Sequence, residues 1–191
     1  MELLKNKIRE CAEVLPGDML KVDGFLNHQI DVKFVSELGK EWYERFKDAG
    51  VTKIMTIESA GIGIACLAAQ YFGVPVVYAK KNKTLAHRED VYSTKVVSYT
   101  HGQVYDITVS KRLISPNDRI LLIDDFVSNG SALKVLICLA EMGGATVVGA
   151  GVAIEKIYAS GGRDIRELGY RLESLVKISA MDPEHGVTFA E

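Results

Sequence analysis

The segment that most restricts the fold is Ile120-Leu121-Leu122-Ile123, an unbroken apolar run that ends in two adjacent acids, Asp124 and Asp125. A strand with no polar face must be covered on both sides, and that is the situation of a central strand in a parallel sheet. Parallel strands need crossover helices, and the flanking sequence supplies them. Residues 131–142 have helical spacing and stop at Gly143-Gly144. Upstream, Asp31 is placed to cap a helix with the apolar face Val32, Val35, Leu38, Trp42 and Phe46, closed by Gly50.

The remaining segments alternate in the same way. Residues 2–14 have helical spacing, and residues 19–22 are a short apolar piece. Residues 53–57 are rich in β-formers, Gly61 and Gly63 open a helix that ends at Gly73, and residues 74–79 predict a strand. Lys80 to Ser93 is polar and without a clear period. Residues 94–99 and 104–110 flank His101-Gly102 and predict a hairpin. A long strand over 145–154, a short helix over 161–168 and a last strand over 171–178 complete the chain. The alternation predicts one α/β domain over residues 1–191, built on a doubly wound parallel sheet.

Composition narrows the function classes. The 191 residues suit one domain with a full core, and 48% apolar with 25% charged residues is ordinary for a soluble globular chain. A net charge of −2 argues against a general nucleic-acid binder, so no nucleic-acid partner is expected. No apolar run reaches the roughly 18 residues of a membrane span. The first fifteen residues lack the uninterrupted apolar centre of a signal peptide and resemble an amphipathic helix. Cys11, Cys66 and Cys138 are scattered, with no CxxC, which fits reduced cytoplasmic thiols acting as small core hydrophobes. No protein-borne metal site is expected.

In a doubly wound sheet, ligands lie outside the carboxyl ends of the strands. The run ending in Asp124 and Asp125 continues as Phe126-Val127-Ser128-Asn129-Gly130-Ser131-Ala132. Ser128, Asn129, Gly130, Ser131 and Ala132 can offer backbone N–H groups and hydroxyls to a phosphate at a helix N-terminus. Two acids would repel that anion, so they must serve another group. Vicinal sugar hydroxyls suit them, because a carboxylate accepts from each O–H. A ribose 5-phosphate therefore fits. A second small-residue loop, Glu58-Ser59-Ala60-Gly61, lies between a strand and a helix and allows close backbone approach to an anion. Gly61-Ile62-Gly63-Ile64-Ala65-Cys66 falls one residue short of a dinucleotide fingerprint and lacks the ribose-binding acid after the next strand. Lys81 is the basic residue placed best for a phosphate, just after that strand.

With these residues in view, the chain resembles the type I phosphoribosyltransferases, and in particular their xanthine-using branch. The resemblance rests on the 119–132 stretch, on Leu20-Lys21-Val22-Asp23 with Phe25-Leu26-Asn27-His28-Gln29-Ile30-Asp31, on 57–61, on 76–81 and on Ile154-Glu155-Lys156. Ser128-Asn129-Gly130-Ser131 departs from the family's common small-residue-Thr-Gly pattern. The resemblance implies transfer of a phosphoribosyl group from 5-phospho-α-D-ribose 1-diphosphate to xanthine, with Mg²⁺ carried on the sugar donor. It implies catalytic roles for Asp124 and Asp125, donor binding by 128–132, 58–61 and Lys81, and xanthine contacts from Leu20, Asn27 and Lys156. A base-binding hood from about residues 1–30 and the C-terminal segment, a lid over 80–101 that includes Lys83, His87, Arg88 and Lys95, and a homodimer are further implications, as is a non-proline cis peptide in the 58–61 loop.

The residues leave two rivals open. One is a preference for guanine or hypoxanthine; adenine fits poorly, because the Lys156 ammonium can only donate and so suits a ring carbonyl. The other is a non-catalytic sensor of the sugar diphosphate, for which the N-terminal extension is too short to add a winged helix. Asn27 is ambiguous by itself, since an amide carries both a donor and an acceptor. Its NH₂ turned toward the base would favour xanthine's carbonyl over guanine's amino group.

Overall fold

In a computed structural model, residues 1–82, 90–98 and 103–190 are described. The chain opens with α1 (Glu2–Cys11), the small hairpin β1 (Glu13–Leu15) and β2 (Met19–Lys21), and a π-helical turn over Asp23–Asn27. Helical spacing over 2–14 thus ends early, because residues 13–15 pair with 19–21. Next come α2 (Val32–Phe46), β3 (Lys53–Ile57), α3 (Ala60–Phe72) and β4 (Val76–Asn82). Asp31 caps α2 as expected, its Oδ1 accepting the Phe34 N–H at 3.1 Å. The hairpin β5 (Val91–Ser98) and β6 (Gln103–Ser110) follows, then β7 (Arg119–Val127), α4 (Ser131–Met142), β8 (Thr146–Lys156), α5 (Gly161–Glu167), β9 (Leu172–Asp182) and β10 (Gly186–Phe189).

The main sheet has the order β10-β9-β8-β7-β3-β4-β6-β5. Its five inner strands, β9, β8, β7, β3 and β4, are parallel, and an antiparallel pairing closes each end. The doubly wound α/β architecture is therefore present, with one edge strand, β10, that the apolar pattern did not signal. Its Gly186-Val187-Thr188-Phe189 is too short and too exposed to announce itself.

β7 shows why the apolar run restricts the fold. Leu121 and Ile123 face a cluster containing Phe34, Leu38, Trp42 and Ile64 from α2 and α3. Ile120 and Leu122 face the opposite cluster, with Leu133, Leu136 and Leu139 of α4 and Ile165 of α5. Alternate side chains thus feed two cores, and a polar residue at any of the four positions would be stranded.

The strands run further than the apolar runs. β7 extends through Asp124 and Asp125 to Val127, in register with β8 as far as Glu155. β4 continues to Asn82, and β5 begins at Val91, so the two ends of the polar stretch 80–93 are sheet and not loop. β6 explains both, since it pairs Lys80, Lys81 and Asn82 on one side and the whole of β5 on the other. Lys83, His87, Arg88 and His101 lie outside the described residues.

The thiols differ from expectation. Cys11 and Cys66 are exposed and Cys138 is half-buried, because each sits on the outward side of its helix. Among the described residues, no helix is long and apolar enough to cross a membrane.

Candidate active site

The acid pair sits at the carboxyl end of β7 with its backbone still in the sheet. Asp124 is almost closed off from water, at 4% exposure, while Asp125 is half-buried. The Asp125 N–H donates to Asp124 Oδ1 at 3.0 Å, and the Phe126 N–H donates to Asp125 Oδ1 at 2.9 Å. Burial raises the Asp124 carboxyl well above the usual carboxylate range, and the neighbouring Asp125 charge adds to it; the Lys81 charge acts the other way.

Immediately beyond, Ser128 to Ala132 turn into α4. Gly130 has φ 77°, a left-handed conformation that puts glycine at the turn. Asn129 Oδ1 accepts the Ser131 N–H at 3.0 Å, so this N–H is engaged within the loop. The loop leans on the start of α5, where the Gly161 N–H donates to the Ser128 carbonyl at 2.8 Å. A Cβ at Gly161 would lie 2.3 Å from the Gly130 nitrogen and 2.5 Å from the Ser128 oxygen. Lys134 and Asp164, 2.6 Å apart, hold α4 and α5 together beneath this contact. Gly161 carries no motif, and nothing short of the fold reveals its role.

The 58–61 loop joins β3 to α3 through a cis Glu58–Ser59 peptide. The Glu58 carboxylate accepts the Lys81 backbone N–H, and the Glu58 N–H donates to the Ala79 carbonyl at 3.0 Å, so β4 sets the loop's height. The Lys81 side chain is exposed. A Cβ at Gly61 would collide with Thr56 Oγ1 at 2.0 Å and approach Asp124 Oδ1 at 3.2 Å. Glycine therefore lets α3 begin directly over the acid pair. Thr56 Oγ1 is buried there with no hydrogen-bond partner, a polar atom that the sequence did not single out.

The N-terminal segment reaches the same acids. Asn27 Nδ2 donates to Asp125 Oδ2 at 2.9 Å across 98 positions of sequence. An ionised carboxylate only accepts, so the amide must present its nitrogen here, which leaves its second N–H and its carbonyl oxygen. Lys156, the last residue of β8, is nearly buried, at 8% exposure. Its ammonium donates to the Asp18 carbonyl and to Asp18 Oδ2 at 3.3 Å. Leu20 is packed into the core beside Val22, Phe25 and Leu26. Next to Lys156, Glu155 is buried against Arg166, whose two nitrogens reach its carboxylate at 2.6 and 2.8 Å, and against the Ser174 hydroxyl. Burial alone would raise this carboxyl, but Arg166 and Ser174 hold it below the usual range.

An acid pair, the 128–132 turn into α4 and the 58–61 loop into α3 thus meet at one end of a parallel sheet. Residues 22–184 match the phosphoribosyl transferase domain family. The chain belongs to that family. This phosphoribosyl transferase is 50% identical to a xanthine phosphoribosyltransferase of Lachnoclostridium phytofermentans over 186 residues, covering 97% of this chain and 96% of the relative. It is 46% identical to one from Bacillus mycoides over 191 residues, covering 100% of this chain and 96% of the relative. Among solved structures, the adenine phosphoribosyltransferase of Giardia lamblia complexed with 9-deazaadenine superposes with a TM-score of 0.74 at 21% identity, over 93% of this chain and 98% of that one. At that identity the likeness bears on the fold alone.

Proposed function

We propose that this phosphoribosyl transferase joins xanthine to 5-phospho-α-D-ribose 1-diphosphate, yielding xanthosine 5′-monophosphate and pyrophosphate, as a purine salvage enzyme. One observation carries the reading. The Asp124–Asp125 pair lies near the end of β7 just before the turn into α4, Asn27 donates to Asp125, and Lys156 ends the neighbouring strand β8, a set that suits a phosphate, a sugar and a purine edge. The near-half identity to xanthine phosphoribosyltransferases over almost the full chain supports the choice of base.

In this reading, base nitrogen N9 forms a bond to C1 of the ribose while the bond from C1 to the pyrophosphate oxygen breaks. The electron pair leaves with pyrophosphate, and the N9 proton passes to solvent. Charge on the sugar resembles an oxocarbenium ion, so catalysis is mainly positioning and electrostatics. Asp124 and Asp125 accept the ribose hydroxyls and put negative charge near the developing cation. Ser128, Asn129, Gly130, Ser131 and Ala132 hold the 5-phosphate. Glu58, Ser59, Ala60, Gly61 and Lys81 hold the leaving pyrophosphate. Leu20, Asn27 and Lys156 frame the base, within a hood made by residues 1–30 and the C-terminal strands. Support for the hood comes from α1, whose terminal amine donates to the Leu175 carbonyl of β9 at 2.7 Å.

No group of three or more His, Cys, Asp or Glu side chains among the described residues is arranged to cage a metal. When bound, Mg²⁺ would be carried on the donor's own oxygens and would offset charge on the leaving pyrophosphate, with Asp124 or Asp125 as the acids that could touch it. The homodimer rests on the resemblance, and the cytoplasmic setting on unpaired thiols.

Pyrophosphate release with the sugar donor and xanthine, guanine, hypoxanthine or adenine at equal concentration, with and without Mg²⁺, tests the proposal. Xanthine is expected to give the highest kcat/KM, and only with Mg²⁺. Release with none of the four bases would return the chain to the class of donor sensors.

A further inference from the structure

The turn between β1 and β2 is made by Pro16, Gly17 and Asp18. Asp18 has φ 62°, the only described non-glycine residue with a positive φ, and Gly17 beside it has φ 84°. Aspartate tolerates this conformation better than most residues, yet it is the kind of backbone that persists where the surroundings hold it. What holds it here comes from the end of β8. The Lys156 ammonium donates to the Asp18 carbonyl oxygen and to Oδ2 at 3.3 Å. The Tyr158 hydroxyl donates to the other carboxylate oxygen, Oδ1, at 2.5 Å. Burial and the Asp18 charge raise the Tyr158 hydroxyl far above its ordinary value, so it stays a donor.

The two sides of this contact are unequal. The Asp18 side chain is 50% exposed, whereas that of Lys156 is 10% exposed. An ion pair with one half-exposed partner adds little to stability. Its effect on geometry is larger, because an ammonium has three N–H donors and no acceptor. Asp18 takes two of them. One is left for a substrate atom.

We propose that Asp18 is a positioning residue for base choice: it pins the Lys156 ammonium so that one remaining N–H must meet a carbonyl oxygen of the purine. A free lysine could swing away from an exocyclic amino group and admit a 6-aminopurine. A pinned one leaves that amino group facing a donor, an unmatched pair that a polar site rejects strongly. The inference deepens the functional reading above and rests on it.

Steady-state kinetics with xanthine and with adenine, on the full chain and on Asp18→Ala, Asp18→Asn and Tyr158→Phe, would test it. The wild-type arm alone judges the functional reading, through its use of xanthine. The variants judge Asp18, through ratios to wild type. Asp18→Ala is expected to raise the KM for xanthine on the order of tenfold, about one charge-assisted hydrogen bond, with a smaller change in kcat. It should also narrow the xanthine-to-adenine ratio of kcat/KM by a similar factor. Asp18→Asn keeps an acceptor and should recover part of both effects. Tyr158→Phe should move both in the same direction by less. Melting temperature and donor binding confirm that each variant is folded. A lower KM for xanthine in Asp18→Ala would mean that Asp18 competes with the base for Lys156, and it overturns the proposal. So does an unchanged xanthine-to-adenine ratio in a folded Asp18→Ala protein. A wild-type chain that uses adenine and not xanthine overturns both readings.

Discussion

The proposed donor end and the proposed base end of the site are put together differently. Within the acid pair and the 128–132 loop, the side-chain bonds are short in sequence, Asp125 to Asp124, Phe126 to Asp125, Ser131 to Asn129, while Gly161 supports the loop from outside. At the base end, Asn27 reaches Asp125 across 98 positions and Lys156 reaches Asp18 across 138. A locally built site takes its geometry from backbone conformation, so a charge or a Cβ should disturb it. A remotely built site takes its geometry from the packing of two distant elements, so loss of an anchor should loosen it without abolishing it.

The largest effect should come from the locally held acids. Asp124→Asn or Asp125→Asn removes negative charge where the sugar becomes cationic, and kcat should fall on the order of a hundredfold, the scale of losing one preorganised electrostatic partner. kcat/KM should fall with it. Wild-type kcat in both variants would detach the pair from the chemistry. Asp124→Asn should at the same time make the free protein more stable. Its carboxyl is raised in the fold, first by burial and then by Asp125. A raised carboxyl stabilises the fold fully only below the ordinary value and loses that contribution as pH rises through the raised one. The variant should therefore melt a few degrees higher near pH 7, about 1 kcal/mol, with the gap closing toward pH 4. Melting curves across that pH range decide it; a gap that widens on acidification contradicts the assignment.

The second effect tests the base end through its support. Arg166→Met leaves Glu155 buried with Ser174 but without its guanidinium. Breaking such a pair typically costs about 3–5 kcal/mol, and partial exposure of Arg166 reduces that to about 2. Glu155→Gln with Arg166→Met should recover part of the loss in a denaturant titration. Additive losses in the double variant would show that the two side chains do not act as a pair.

The two ends were not equally legible in the sequence, and the reason is the same distinction. The β7 run, its acids and the turn into α4 are contiguous, so apolar pattern, charge and small residues carried both the parallel sheet and the candidate donor loop. Strand ends were missed because Asp124, Asp125, Lys80 and Lys81 are polar, while their backbones are kept in the sheet by β8 and β6. Asp18 went unread in the sequence, and Gly161 looked like a helix start. Nothing near either in sequence names Lys156 or Gly130 as its neighbour, since only the packed fold creates those contacts. The Asn27 amide, ambiguous by itself, belongs with them: its partner Asp125 is one that no local pattern brings beside it.

Gly161 offers a smaller test, in which a remote contact serves the local loop. In Gly161→Ala the new methyl meets backbone atoms of Ser128 and Gly130, which have no rotamer to escape through. The loop must move by several tenths of an ångström. The KM for the sugar donor should rise on the order of tenfold, while base preference holds, because small misplacements of positioning groups are costly. An unchanged donor KM would mean that the 128–132 loop adapts freely and that α5 does not set its place.

The smallest effect should come from Asn27→Ala. One N–H of its NH₂ is engaged by Asp125, which leaves the second N–H and the carbonyl oxygen of the amide. Where the carbonyl oxygen faces the base, it acts as an acceptor. An acceptor pairs with a ring N–H, and xanthine and guanine both carry one between their two ring substituents. Asn27 should then act chiefly on how Asp125 is held. One bond to a charged acceptor, in a half-buried place, predicts a fall in kcat of severalfold with every base that is used. The xanthine-to-guanine ratio of kcat/KM should stay within about twofold, well under the tenfold that one good bond would give. Parallel kinetics with the two bases check this. A ratio that collapses while kcat for xanthine is kept would return Asn27 to reading the base directly, through the N–H that Asp125 does not use.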